Sequence, residues 1–537
     1  MRRVVAARAK GLAALAAIVA SVALAACGDD KSSSQTTAPA GKPVAKLTWA
    51  LPAAVPSLDP AKALDTNSLS VAYLGLEGLM KYDERGALHP HLAASVDHPD
   101  ATTYVFTLRP GVTFWDGKPL TAADVVWSLQ RNLDPKTASQ LGQYYGSVKS
   151  IAAEGSDRVV VTLKQPDVYF KYVPAFAAPI VEKAYALKQG AELGSAKGLT
   201  MGTGPFKFTK FGPNGLELVR NDAYWGPRPK VAAISLRVIA DPATRQLAMR
   251  SGEVDGGFLT GDEAGNYGSV TQVALQEADP IDIVAMSLDT TTKPFDDVHV
   301  RRAMSLALDR AGIVQALYRG HAEASSSIVP RTLWAGIVSD AQIDELYSGL
   351  AGGDFDLDEA KAELAQSASP DGFKATIKVP NANPVLAKIG QAFAQNLATL
   401  GIALKVQEVP VAEWIQGLID HKSNGPVGML AFSPGYADPG AYPSMFLASA
   451  KAVPGAFNMA NVKDPNVDKL LDEQQKSDDI AARTDDLSQV MQYADQQAPY
   501  IPVVWTNVVA AVSKKLQLAD FGPWYYTQDW ASDISAR

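Results

Sequence analysis

The chain has 537 residues, 49 Lys and Arg against 57 Asp and Glu for a formal net charge of −8, and a single Cys. This acidic balance leaves no basic footprint for nucleic acid, which requires clustered Lys and Arg, and one thiol excludes an internal disulfide and a Cys-based zinc site. At roughly 150 residues per domain the length predicts two to four compact units, and the hydrophobic runs beyond the first 26 residues are short and punctuated by Gly, Pro or charge, as in a soluble body.

Arg2, Arg3, Arg8 and Lys10 precede an uncharged run over 11–26 rich in Ala, Leu and Val. That is the layout of a secretory signal peptide; a membrane-spanning helix needs about 20 strongly apolar residues. Leu24-Ala-Ala-Cys27 at its end resembles the bacterial lipobox and gives the lone thiol a use, as the lipidated first residue once residues 1–26 are removed. Losing the leader's four basic residues leaves 45 against 57 acidic ones, a net charge of −12. Residues 27–43 hold the lipidated Cys27 and a stretch without aromatic or large aliphatic side chains, which reads as a disordered linker.

Lys46–Leu51 is the first predicted strand. Thr103–Leu108 and Val112–Trp115, separated by Arg109-Pro-Gly111, read as a hairpin. Thr121-Ala-Ala-Asp124 forms a variant capping box for a helix whose stripe is Val125, Val126, Leu129 and Leu133. Arg158–Leu163 returns as a strand. Asp296 or Asp297 caps a second helix with Val300, Ala303, Met304, Ala307 and Leu308 on its apolar face and Arg301 and Arg302 beginning the polar side. Further helices are predicted over 358–365 and 389–400, the latter ended by Gly401 before a strand at 402–406. The alternation predicts an α/β or mixed α+β architecture.

Several segments follow one another in an order that carries more information than any one of them. They are Ser57-Leu-Asp-Pro60, Leu76-Glu-Gly-Leu-Met-Lys-Tyr-Asp83, His89-Pro-His-Leu-Ala-Ala94 and the long run from Tyr104 to Val126 containing Phe114-Trp-Asp-Gly117. Gly202-Thr-Gly-Pro-Phe206, Arg220-Asn-Asp-Ala-Tyr-Trp225, Ser251-Gly-Glu-Val-Asp255, Pro294-Phe-Asp-Asp297, Ala307-Leu-Asp-Arg310, Ala437-Asp-Pro439 and Ala498-Pro-Tyr-Ile-Pro502 complete them. Over nearly the whole mature length the series resembles the family 5 substrate-binding proteins of ABC importers, whose best-known members bind oligopeptides, dipeptides and nickel complexes.

The resemblance implies a periplasmic-binding-protein-like type II clamshell. Lobe I would combine 44–64, 200–285 and 500–537, an extra domain would be inserted at 65–199, and lobe II would span 286–499. Strands near 285 and 500 would form the hinge, and closure would bury a ligand on both faces. Together with the leader and Cys27, it points to an extracytoplasmic lipoprotein on the outer face of the cytoplasmic membrane. That protein would be monomeric, would need no cofactor, and would deliver a peptide or peptide-like solute to permease and ATPase subunits. An oligosaccharide, opine or metal-chelate cargo, or a sensing role, is the alternative.

Peptide-binding relatives carry an aromatic residue and, three positions on, an Asp that pairs with the peptide's α-amino group. Phe432 fills the aromatic place here, but Gly435 stands where the Asp would be, leaving either Asp438 as substitute or a ligand without an ordinary free amine. The expected pocket residues are Phe432, Tyr436, Asp438 and Tyr442. Most other matches read as scaffold. Trp115 and Trp225 are expected packing anchors, Gly202 and Gly204 a turn, and Arg301 and Arg310 helix-surface or ion-paired residues. His89, His91 and His98 read as loop residues at a domain rim, without an acidic or Cys partner at metal-site spacing. No zinc-protease, esterase or P-loop signature is present, which argues against catalysis.

Overall fold

The computed structural model describes residues 41–62 and 64–537; the leader, Cys27 and most of the linker lie outside them. An eleven-stranded mixed sheet organises the body. At its centre the long strands Val273–Leu288 and Tyr500–Ser513 run antiparallel for most of their lengths. Gly256–Leu259, Leu47–Leu51, Ala233–Val238, Gly215–Arg220 and Phe206–Gly212 extend the sheet from one edge of this pair. Val427–Phe432, Lys374–Pro380 and Ala403–Val409 extend it beyond the other. Each half has its own core: Ala50, Met249, Val509 and Ala511 pack together in one, and Met286, Val300, Met304, Phe393 and Ile501 in the other.

The two central strands lose their regular register between the Ala278 and Asp282 pairings and again between Val284 and Ala285. Pro280 and Pro502 lie at these breaks and offer no N–H to the ladder. Such irregularities bend a strand and re-aim its side chains. Here they fall where the chain passes from one half of the sheet to the other, and the site lies beside them.

A separate four-stranded antiparallel sheet is ordered Ala93–Asp100, Thr103–Leu108, Arg158–Leu163, Val148–Glu154. Thr103–Leu108 therefore pairs with strands on both sides, and the expected hairpin with 112–115 does not form: Thr113 makes only an isolated bridge to Pro119. The capped helix runs Ala122–Gln130, with Thr121 N donating to Asp124 Oδ2 at 3.1 Å. It stops short of Leu133, which is 41% exposed and outside the buried stripe.

The helix Val298–Leu306 has the predicted apolar face and Asp297 cap, but Arg301 is buried, donating to the Gln497 and Phe295 carbonyls. Arg310 is buried too and donates Nε to Pro502 O at 2.7 Å. Neither forms an ion pair among the described residues. The reading of both as surface or ion-paired is corrected: each guanidinium satisfies backbone carbonyls of the packed chain, and burial holds Arg310 down at about 10.

Candidate functional site: a cleft beside the central strands

Two adjoining chambers lie beside the register breaks, sharing Thr66, Ala431, Phe432, Ser433 and Tyr526 as a common wall. The first, of about 330 Å³, is lined from both halves of the sheet: Phe258, Thr260 and Asp262 on one side, Asn383 and Val385 on the other, and Asp282, Thr506 and Asn507 from the central strands. Tyr525 and Tyr526, near the end of the chain, close its aromatic side. The second, of about 590 Å³, lies between Gln143, Tyr144 and Phe176 and the segment from Ala431 to Met445, with Lys451 and Phe457 beyond. Concave, largely apolar spaces of this size with a few convergent polar groups are how proteins enclose small solutes.

Phe432, at the end of strand Val427–Phe432, lines both chambers. Edge contacts to Phe446 and Phe457, at ring separations of 5.8 and 5.1 Å, fix its ring. Tyr436 lines the second chamber, stacked on Tyr169 at 4.7 Å and Tyr172 at 5.8 Å. The structure thus brings Phe432 and Tyr436 to one cavity.

It places the other two expected residues beneath that cavity. Asp438 has no exposed surface; its carboxylate accepts from Arg483 at 2.8 and 2.9 Å, from Gly440 N at 2.9 Å and from Tyr172 OH at 3.3 Å. A carboxylate already neutralised and enclosed this way has no free lone pair to receive a ligand's amine. Tyr442 is likewise fully buried, its hydroxyl 2.9 Å from the carbonyl oxygens of both Ile281 and Phe432, so it ties the 432–442 loop to the central strand.

Gly435 does line the second chamber, but a side chain there would meet Tyr144: a Cβ would lie 2.7 Å from Tyr144 Cε1. The Tyr144 ring, set edge-on to Phe176 at 4.6 Å, occupies that space.

Of the carboxylates that reach the cleft, Asp282 is the one on the central strands. Ser433 hydrogen-bonds it, it forms no ion pair among the described residues, and burial pushes its carboxyl up to about 6. Composition and motif order missed it. The available signal was a single acid inside the apolar run Ile281-Asp-Ile-Val-Ala-Met286. Tyr144 and the Tyr525-Tyr526 pair had no comparable signal, because only the tertiary fold carries residues so distant in sequence to the cleft.

Glu77 shows what several of the ordered segments are for. Its buried carboxylate accepts from His91 Nε2 at 2.7 Å, Thr203 Oγ1 at 2.6 Å, Tyr224 OH at 2.7 Å and Trp225 Nε1 at 3.1 Å. Burial alone would raise its carboxyl, but the His91 charge and these donors hold it below the ordinary value. His91 does lie in the short link between strands Leu88–Pro90 and Ala93–Asp100, but it has an acidic partner and is largely covered, which corrects the reading of it as an unpartnered rim residue. Gly204 is part of the same junction: a Cβ there would lie 2.6 Å from Gly75 O. Among the described residues no group of three or more His, Cys, Asp or Glu side chains is arranged to hold a metal ion, and no helix is long and apolar enough to cross a membrane.

Residues 87–453 match the model for bacterial extracellular solute-binding proteins, family 5 Middle. The glutathione-binding protein GsiB of Escherichia coli K12 is 29% identical over 471 residues, covering 86% of this chain and 89% of that protein. Among solved structures, the periplasmic binding protein DppA of Helicobacter pylori, in complex with the peptide STSA, superposes with a TM-score of 0.78 at 23% identity, covering 92% of this chain and 98% of that one. The substrate-binding protein CtaP of Listeria monocytogenes superposes with a TM-score of 0.80 at 22% identity, covering 92% and 100%. These likenesses show the type II binding-protein fold.

Proposed function

Because the chain belongs to family 5 of the bacterial extracellular solute-binding proteins, we propose that its cleft captures a peptide or peptide-like solute and hands it to the permease of an ABC importer. The observation that carries this reading is the pair of adjoining chambers, the first lined from both halves of the sheet, beside the irregular central strands that pass from one half to the other. A ligand touching both walls binds the closed arrangement better and shifts the population toward it. The cleft walls are aromatic and hydrogen-bonding, and the reading assigns no chemical step to them: binding without catalysis.

The division into lobe I (44–64, 200–285, 500–537), inserted domain (65–199) and lobe II (286–499) belongs to the same proposal. So does anchoring through Cys27, which would hold a monomeric body at the outer face of the cytoplasmic membrane. GsiB is named for glutathione and the H. pylori DppA structure holds a peptide, so short peptides lead the list of cargoes. A binding protein from Agrobacterium, solved with agropinic acid, keeps opines as the second reading.

The proposal is tested by thermal shift of the protein against short peptides, glutathione, opines and oligosaccharides. A ligand at a hundredfold excess over its Kd raises stability by about 2.7 kcal/mol, and no response to any class contradicts it. Full-length Cys27→Ser, expressed with its leader, is expected to leave the membrane fraction; retention there refutes the anchor.

A further inference from the structure

The geometry points to the first chamber as a cation-binding subsite in which Asp282 receives an ammonium or guanidinium group of the ligand. This inference rests on the cleft being the solute site and names what that site selects. The chamber's lining contains three carboxylates, Asp262, Glu263 and Asp282, and no Lys, Arg or His. Glu263 is paired with Arg245, whereas Asp262, which accepts from the Thr260 hydroxyl at 2.7 Å, and Asp282 form no ion pair among the described residues. Asp282, at the register break of the central strand, accepts from the Ser433 hydroxyl and is the one of the three that lies on a strand shared by both halves of the sheet.

A carboxylate taken out of water without a counter-ion is costly. Burial holds the Asp282 carboxyl up at about 6, and the lining offers it no cationic side chain. Phe432, Tyr525 and Tyr526 line the same chamber, and aromatic faces add to the attraction for a desolvated cation. The position where an amine-binding Asp was expected is closed, since Tyr144 fills the space beside Gly435, and the candidate substitute Asp438 is paired with Arg483. A ligand bringing its own positive charge to Asp282 supplies the missing counter-ion, and one without it leaves the carboxylate with none.

The test incubates the purified protein with an equimolar mixture of tripeptides, with and without Lys or Arg, and their N-acetylated counterparts, and identifies retained members by mass. Members with a free ammonium or guanidinium are expected to be retained at least about tenfold over their neutral isosteres. Asp282→Asn should bring that ratio near unity and Asp282→Glu should recover part of it, with circular dichroism confirming both variants folded. An unchanged ratio in Asp282→Asn, or equal retention of neutral members by the wild type, overturns the inference. It leaves the cleft reading standing if Ala431→Trp, which fills the shared wall, abolishes retention. Retention of nothing by the wild type overturns both.

Discussion

The ring of Tyr144 occupies the space that a side chain at position 435 would need, so Gly435 and Tyr144 form one complementary pair across the second chamber. Gly435→Asp is therefore expected to destabilise the protein by about 1–3 kcal/mol through overpacking, whereas the same change with Tyr144→Ala should recover most of the loss. Denaturant unfolding of the two variants checks this. A fully additive double variant would show that the residues do not share the space.

The Asp438–Arg483 pair is buried on both sides, with side-chain exposures of 0% and 6%. Asp438→Asn should cost about 3–5 kcal/mol by leaving the guanidinium without its counter-charge, and replacing Arg483 by Met as well should recover part of it. Affinity for any solute should change far less than stability, which calorimetry on the folded variants would show. A selective loss of binding would return Asp438 to the site.

Glu77→Gln keeps the shape of the junction but removes the charge and replaces an acceptor by an NH₂ facing donors. A loss of about 2–4 kcal/mol is expected, read as a lower urea midpoint without a change in ligand selectivity. An unchanged midpoint would mean that the Glu77 network does not hold its segments together.

The fold was largely legible in the sequence, because helix caps, apolar periods and the order of the segments all reflect local or scaffold requirements. Asp297, Val300 and Met304 fell where periodicity put them. Arg301 and Arg310 did not, since a guanidinium buried against carbonyls looks no different in sequence from one on a surface. The same limit applied to the cleft. Phe432 and Tyr436 reach it, but Asp438 and Tyr442, close by in the same segment, point into the packing beneath, a difference fixed by Arg483 and Ile281 from distant parts of the chain. The segment Leu76–Asp83 owed its pattern to a buried carboxylate whose donors arrive from 91, 203, 224 and 225.

The elevated Asp282 carboxyl sets a pH dependence. Its ordinary value is near 3.9 and the folded value about 6. The folded state therefore binds the extra proton between these limits, and the group's contribution to stability is largest below about pH 4 and is lost as pH rises through 6. The titratable groups coupled to it are Tyr442, Tyr525 and Tyr526, all phenols pushed up by burial and neutral throughout. Asp282→Asn should raise the Tm of the ligand-free protein at pH 8 but not at pH 4, and affinity of the wild type for a cationic peptide should fall as pH drops below 6. A variant whose advantage is the same at both pH values contradicts this.

Solute capture in the cleft is tested most directly by exposing the ligand-free protein to a peptide-rich bacterial growth medium, washing it, and measuring by native mass spectrometry what remains bound. The wild type should hold about one small molecule per chain, and Ala431→Trp, altering an exposed residue on the wall common to both chambers, should hold none while keeping the Tm of the ligand-free protein. Equal occupancy in the two proteins would place the solute elsewhere and contradict the account.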